Sequence, residues 1–365
     1  MSTRPLIISA IGDIMLGDLP ACSGFGVGSM IKKHGPEFPF ALAKQGLADS
    51  DLVIGNLEVV LSRFDSKNDP FARTHLRAQP ETVEGLKWAG VNAVALANNH
   101  IMQHGSGAVH ETISILRQYN IAFTGIADKA AGIENLAVVE KRGMKIGLLA
   151  YNFRPLQYFV SPPIDARGEP DKICSDIETA KSKSDLVILS LHWGEEFINR
   201  PSAEQVKMGR RFIDAGAHII LGHHPHIVQG VEKYRGRVIA YSLGDFIFDL
   251  WEPRLRKSMI LRITVENPDN IGLEILPLFI NNRWQPELLA GQAAENLKFE
   301  IESLSKLIDA DADANEWNAE VAIELRRHRR GVYKHYVSSI HRFGAKRLFS
   351  NIARAISGRV FPQKK

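Results

Sequence analysis

The chain has only two cysteines, Cys22 and Cys174, far apart and with no CxxC pair. That excludes the disulfide framework of a small secreted domain and fits a reducing compartment. Nowhere do about 18 apolar residues run together, the length a membrane-crossing helix needs, so no spanning helix is expected. The amino-terminal stretch MSTRPLIISAIGDIML has one early arginine and an apolar run that Gly12 and Asp13 interrupt. It is too short for the apolar part of a signal peptide and no small-residue cleavage site follows it. It reads as a first strand, and a cytoplasmic location is expected. Internal repeats and low-complexity segments are absent. Acidic residues are missing from positions 326–365, which hold twelve Lys and Arg, while positions 1–325 keep all 41 Asp and Glu against 33 Lys and Arg. An acidic body with a basic tail indicates a tail that meets an anionic surface, or a solvated terminal helix. No specific nucleic-acid partner is expected.

What is present is ordinary globular material. With 365 residues, 45% hydrophobic and 24% charged, the chain can bury a sizeable core as one large domain and an appendage. Its pattern alternates between strand and helix, which indicates α/β architecture. Strands are expected at Leu6–Ile11, Leu52–Gly55, Ala93–Ala97, Lys145–Tyr151, Leu186–Leu191, His218–Leu221 and Val238–Ser242. PETVEGLKWAG has Pro80 where a first helical turn tolerates it and Gly90 at a C-cap. VHETISILRQYN puts Val109, Ile113 and Leu116 on one helical face. PSAEQVKMGRRFIDAG opens with Ser202 as N-cap and Gln205 three residues on, and closes at Gly216. Past Val238 the texture is β-rich, in SMILRITV and IGLEILPLFI; from about Gln292 it is helical and polar. The expected division is a domain over residues 1–290 and a helical, basic extension over 291–365.

The residues that follow the strands carry the chemistry. Asp13 follows the first, Asn56 and Glu58 the second, and Asn98, Asn99 and His100 the third. His192 follows Leu186–Leu191, the crowded His223, His224 and His226 follow His218–Leu221, and Asp245 follows Val238–Ser242. A lone strand-end histidine or aspartate is usually a satisfied polar group; six strands ending this way in order form a site. In open α/β sheets ligands bind at the carboxyl ends of the strands. Mixed carboxylate, amide and imidazole donors suit divalent cations, and a carboxylate can bridge two of them. Two metals roughly 3.5–4 Å apart can clamp the attacking and leaving oxygens of a displacement.

These stretches, GDIMLG, NLE, ANNH, HWG, IDAGAHIILGHHPHIVQG and YSLGDFIFD, stand in the order found in the CapA family. The sequence resembles that family, the bacterial capsule-biosynthesis proteins linked to poly-gamma-glutamate, within the calcineurin-like metallophosphatase superfamily, over roughly residues 5–250. The resemblance implies a four-layer α/β/β/α sandwich with a metal site at one edge of two sheets. It implies Asp13 as first metal ligand, Glu58 as bridging carboxylate with Asn56 beside it, and Asn99 on a second metal. His192, His224 and His226 would complete the coordination of one or two divalent ions (Mn, Fe or Zn). His100 would face substrate as proton donor, and His223 would be an alternative ligand or would orient its neighbours.

Three departures stand out. The Asp-x-His pair usual in metallophosphatases has Met15 as its second member, and a thioether is a poor ligand for hard cations. Gln103 stands where the family often has Asp, and Asp245 where it often has Asn, adding negative charge near the site. Glu195 and Glu196 either add more or open a solvated helix. Three functions compete: a metal-dependent hydrolase of phosphate esters, a role in building an anionic extracellular polymer through a metal-activated hydroxide, and a non-catalytic metal scaffold. A scaffold has no use for His100. The substrate is accordingly a small molecule or an anionic polymer. In the tail, Leu348, Ile352, Ile356 and Val360 recur at i, i+4 among Lys346, Arg347, Arg354 and Arg359. This is the pattern of a helix on an anionic membrane surface at the inner face, or of one packed on the acidic body.

Overall fold

A computed structural model describes residues 4–64, 76–156 and 164–343. The strands of the first half are β1 (Leu6–Ile14), β2 (Leu52–Leu57), β3 (Val60–Leu61), β4 (Arg77–Ala78), β5 (Ala93–Ala95), β6 (Ala122–Thr124), β7 (Ala137–Lys141) and β8 (Met144–Asn152). Those of the second half are β9 (Leu186–His192), β10 (Ile219–His223), β11 (Val231–Tyr234), β12 (Arg237–Ala240), β13 (Asp245–Ile247), β14 (Lys257–Asn267), β15 (Asn270–Ile280) and β16 (Pro286–Leu288). The helices are α1 (Val27–His34), α2 (Lys44–Leu47), α3 (Val83–Trp88), α4 (Gly105–Gln118), α5 (Pro170–Lys183), α6 (Ala203–Ala215), α7 (Gly291–Lys306) and α8 (Ala314–Ser338).

Two large sheets result. One runs β16-β15-β14-β1-β2-β5-β6, with β13 also paired to β1; the other runs β11-β12-β10-β9-β8-β7. In each, the central strands are parallel and buried on both faces, which is why they read as near-continuous apolar runs. Their side chains sort by a period of two. From β1 and β2, Ile8, Ala10, Leu52 and Ile54 meet Leu186, Ile188, Ile219 and Leu221 of β9 and β10 in one core between the sheets. On the far side of the first sheet, Ile11, Ile14, Val53 and Leu57 pack with Ile31, Leu86, Val109 and Ile113 of α1, α3 and α4. Beyond the second, Val187, Leu189, Leu191 and Ile220 pack with Ile173, Ile177, Val206 and Phe212 of α5 and α6. Each fully buried side chain of this size contributes about 1.5–3 kcal/mol. Three such cores fit the expected helix, sheet, sheet, helix layering of an α/β fold.

The local punctuation acts as read. Ser202 caps α6, accepting from the Gln205 amide at 3.2 Å while Gln205 Oε1 accepts from Ser202 N at 3.0 Å. Gly216 closes that helix at a φ of 116°. Helix α7 sends Leu297, Ile301 and Leu304 into the core between the sheets. Helix α8 buries Val332 and His335, and His335 stacks on Trp251 at 4.0 Å. Among the described residues no helix is long and apolar enough to cross a membrane. The tail stripe from Leu348 to Val360 lies outside the described residues.

Candidate metal centre

Strand register assembles the site. Asp13 stands opposite Asn56 of β2 on one side and opposite Asp245 of β13 on the other, all in parallel pairing. In the second sheet Asn152, His192 and His223 form one row across β8, β9 and β10. Both rows lie at or near the carboxyl ends of β1, β2, β8, β9 and β10, with Asp245 at the start of β13. One detail of the sequence reading changes here: Asp13, Asn56, His192 and His223 belong to the strands themselves, and Asp245 opens a strand of its own. A strand position holds a side chain more rigidly than a loop.

The histidine loop is bent where β10 ends. His224 has a φ of 95° and His226 one of 56°, left-handed conformations that cost a non-glycine residue about 1–3 kcal/mol and collect at functional sites. The surrounding bonds hold the bend: Phe197 N donates to Pro225 O at 2.8 Å, Trp193 N to His223 O at 3.1 Å, and His224 N to Asp13 Oδ2 at 3.1 Å.

The polar side chains converge. Asn56 Nδ2 donates to Asp13 Oδ1 at 2.8 Å, and His223 Nδ1 lies 3.1 Å from the same oxygen. His192 Nε2 lies 2.8 Å from Asn99 Oδ1, and His226 Nδ1 lies 2.8 Å from Asp245 Oδ1. Glu58 Oε1 is 3.8 Å from Nε2 of both His226 and His100 and 3.9 Å from that of His192. Both oxygens of Glu58, both nitrogens of His224 and Asp245 Oδ2 are buried with no hydrogen-bond partner among the described residues. Each such orphan is costly, so a cluster of them calls for an explanation. A divalent cation supplies it. Donor atoms of Glu58, His224 and His226, of Asp13, His226 and Asp245, and of Asp13, Glu58 and His192 lie within 4.8 Å of one another in each trio. Asp13, Glu58 and His226 each belong to two trios, as ligands shared between two ions would. The carboxylate and imidazole set fits such ions.

Electrostatics agree. Burial raises the pKa of Glu58 well above the carboxylate range and pushes Asp245 up to about 6. Burial also lowers His192 and His224, which are therefore neutral, as ligands must be. Burial works in the same direction on His226, but Asp245, Glu58 and Asp13 outweigh it and raise that ring well above its ordinary value. Burial would raise Asp13, yet a hydrogen bond from His223 and the charges of His223, His226 and His192 hold it below the usual range. Protons thus fill in for positive charge, and a cation would displace them.

Asp13, Asn56, Glu58, Asn99, His192, His224 and His226 are therefore brought together, with His223 Nδ1 3.1 Å from Asp13 and His100 at the mouth, its side chain 11% exposed. Met15 is not in the cluster: it is packed in the core, its sulfur accepting from Gly17 N at 3.1 Å. Neither Glu195 nor Glu196 starts a helix; Glu195 forms a two-point pair with Arg154 at 2.7 and 3.0 Å. Sequence reasoning gave Asp245 only a supporting place and missed Arg154 and Asn152. For Asp245 the signal was the Gly-Asp pair repeated in IGDI and LGDF, two stretches that pair in parallel.

The family described as bacterial capsule synthesis protein PGA_cap matches residues 7–250. The capsule biosynthesis protein CapA of Bacillus anthracis is 31% identical over 288 residues, 75% of this chain and 67% of that protein. The PGA biosynthesis protein CapA of Bacillus subtilis (strain 168) is 29% identical over 280 residues, 76% of this chain and 72% of that protein. A putative 5'-nucleotidase from Staphylococcus aureus, solved in complex with alpha-ketoglutarate, is similar at a TM-score of 0.45 and 12% identity, over 82% of this chain and 58% of that one.

Proposed function

The chain belongs to the bacterial capsule synthesis protein PGA_cap family, and on that premise we propose that it helps build an anionic polymer of the poly-gamma-glutamate type through a metal-dependent hydrolase site. The observation that carries the hydrolase reading is the cluster of buried, unpartnered donor atoms on Glu58, His224 and Asp245. Asp13, Glu58, His192, His224, His226 and Asp245 would hold one or two ions of Mn, Fe or Zn, with Asn99 against His192. A divalent ion there supplies a Lewis acid that polarises a carbonyl or phosphoryl oxygen and makes a bound water more acidic.

The protein's own part falls to His100. Burial brings its pKa down to about 3, so the ring is neutral until an anionic group enters. Gln103 Oε1 holds Nδ1 at 3.2 Å and leaves Nε2 on the side of Glu58. An entering anion raises the ring's affinity for a proton, so Nε2 takes one up from solvent and then passes it to the leaving group. The His100→Ala variant should keep its metal and turn over about 10²–10⁴-fold more slowly. The loss should shrink for a nitrophenyl leaving group, which needs no proton. Equal losses for good and poor leaving groups would show that His100 only positions substrate.

The reading as a whole is tested by elemental analysis of the purified protein joined to a screen of gamma-glutamyl peptides, phosphomonoesters and phosphodiesters. Metal with gamma-glutamyl turnover supports it. Turnover of phosphate esters alone would replace it with a general phosphoesterase, and bound metal with no turnover would leave a scaffold.

The basic extension belongs to the same proposal. On α8, Ile323, Tyr333 and Val337 are 60%, 59% and 74% exposed, opposite the buried Val332 and His335. At 3.6 residues per turn they share a face with Arg326, Arg330 and Lys334, which are also exposed. An apolar stripe among cations, with no acid on it, suits an anionic membrane surface at the inner face. The full chain should co-sediment with anionic but not neutral vesicles at low salt. Reversing Arg326, Arg330 and Lys334 to Glu should weaken this by roughly 100-fold or more, since each basic residue contributes about 1 kcal/mol. Binding unchanged in that variant would clear α8 of the role.

A further inference from the structure

Helix α8 lies wholly past residue 250, where the family match ends, yet one face of it is built against the metal centre. Glu320, Glu324, His328, Val332 and His335 recur at helical spacing, which puts them on that face. Three of them pair with charged groups on the segments that follow β9 and β13. Glu320 Oε2 lies 2.7 Å from Arg200 Nε, Glu324 Oε2 2.9 Å from Arg254 Nη1, and His328 Nδ1 2.7 Å from Glu252 Oε1. Gly331 interrupts this stretch although glycine weakens a helix interior. A Cβ there would stand 2.9 Å from Glu252 Oε1, so the glycine admits the carboxylate that holds His328.

What His328 covers is Phe197: the two rings stack at 3.9 Å and 22°. Phe197 is buried and has a φ of 70°, itself a left-handed conformation. Its N donates to Pro225 O at 2.8 Å, and its ring centroid lies 6.3 Å from that of His226. Its O accepts at 3.0 Å from Arg254 Nη1, the same nitrogen that faces Glu324. Pro225 stands between His224 and His226, both of positive φ. Backbone strained in this way persists only where its surroundings over-determine it. We propose that α8 is a strap over the metal centre, and that His328, acting through Phe197, is a positioning residue that holds His224 and His226 in place. The proposal rests on the reading of those two histidines as metal ligands. Groups that orient ligands without touching the ion are worth about 10–100-fold in metal affinity. His328 acts one contact further out, through a ring stack, so the lower figure applies.

The test uses the full chain and three variants. His328→Ala removes the ring, and His328→Phe keeps the stack while giving up the bond to Glu252. Ile177→Val trims a buried residue of α5 in the core beyond the second sheet, so it lowers stability without touching the strap. Amide hydrogen exchange is read on chelator-treated protein at Phe197 and His224, whose N–H groups bond Pro225 O and Asp13 Oδ2. Exchange at both should quicken by about 10-fold in His328→Ala, the loss of one ring stack, and by less than about 3-fold in the other two. Cobalt(II), titrated by its visible absorption, should bind His328→Ala about 10-fold more weakly and with an altered spectrum. His328→Phe should restore both affinity and spectrum. If cobalt fails to bind even the unaltered protein, the ligand reading falls, while exchange, read without metal, still decides the strap. If His328→Ala does not fold, as thermal melting will show, Glu324→Gln, which loosens the strap at Arg254, is read in its place. Exchange unchanged in the strap variant, or equally quick in His328→Phe or Ile177→Val, would overturn the proposal. So would a cobalt affinity that the loss of His328 leaves unchanged.

Discussion

Protein with alanine at both His224 and His226 is expected to purify with only trace divalent metal and to lose turnover by more than about 10⁴-fold, beyond the range of losing one proton donor. His224 offers two nitrogens that nothing else among the described residues uses, and His226 belongs to two of the three donor trios. Even residues that merely orient ligands are worth 10–100-fold in metal affinity. Losing two imidazoles should therefore empty the centre. Stability should change with pH as well. Without the His226 ring, Asp13, Glu58 and Asp245 face one another with less positive charge between them. Glu58 and Asp245 have folded pKa values raised above their unfolded ones, so they contribute stability at acidic pH and lose it as pH rises through the folded value, about 6 for Asp245. The double variant should thus melt highest near pH 5 and progressively lower toward pH 8. Metal should protect the unaltered protein over the same range by mass action. Elemental analysis that finds full metal content in the double variant would remove both histidines from the centre.

Gly12→Ala should be among the most damaging single methyls. A Cβ at Gly12 would stand 1.9 Å from Gly244 O and 3.3 Å from Phe246 N, both backbone atoms of the segment that pairs with β1. Asp13 N donates to that same Gly244 oxygen at 3.1 Å, so the methyl would force apart the two strands that bring Asp13 and Asp245 together. Overpacking costs about 1–3 kcal/mol where side chains can yield, and a backbone clash should reach or exceed the upper figure. A fall in melting temperature of roughly 5–10 °C is expected, with reduced metal content. Gly272→Ala, in β15, is the control. Its Cβ would find Thr264 at an ordinary 3.7 Å, and the variant should melt close to the unaltered protein. A Gly12→Ala protein that melts and binds metal normally would mean that β13 is not held against β1 in solution.

These two experiments probe different kinds of information. The sequence alone settled what depends on neighbours a few residues apart. The period of two in β1, β2, β9 and β10, the Ser202 and Gln205 cap and the Gly216 stop were all legible because both partners of each local contact lie in one short stretch. The residue types that follow the strands were legible for the same reason, and an ordered series of Asp, Glu, Asn and His at strand ends admits few uses other than a metal. What only the tertiary structure decided is how those side chains face each other. Asp245 joins the donors because β13 pairs in parallel with a strand more than two hundred residues earlier. Met15 turns into the core although it sits two residues from Asp13. Arg154 neutralises Glu195 through the adjacency of β8 and β9, and Gln205 of α6 and Trp317 of α8 come to line one cavity although they are far apart in the chain. Local spacing fixes which face of an element a side chain occupies; register between distant strands fixes which atoms come within bonding distance, and that register arises from burying all three cores at once.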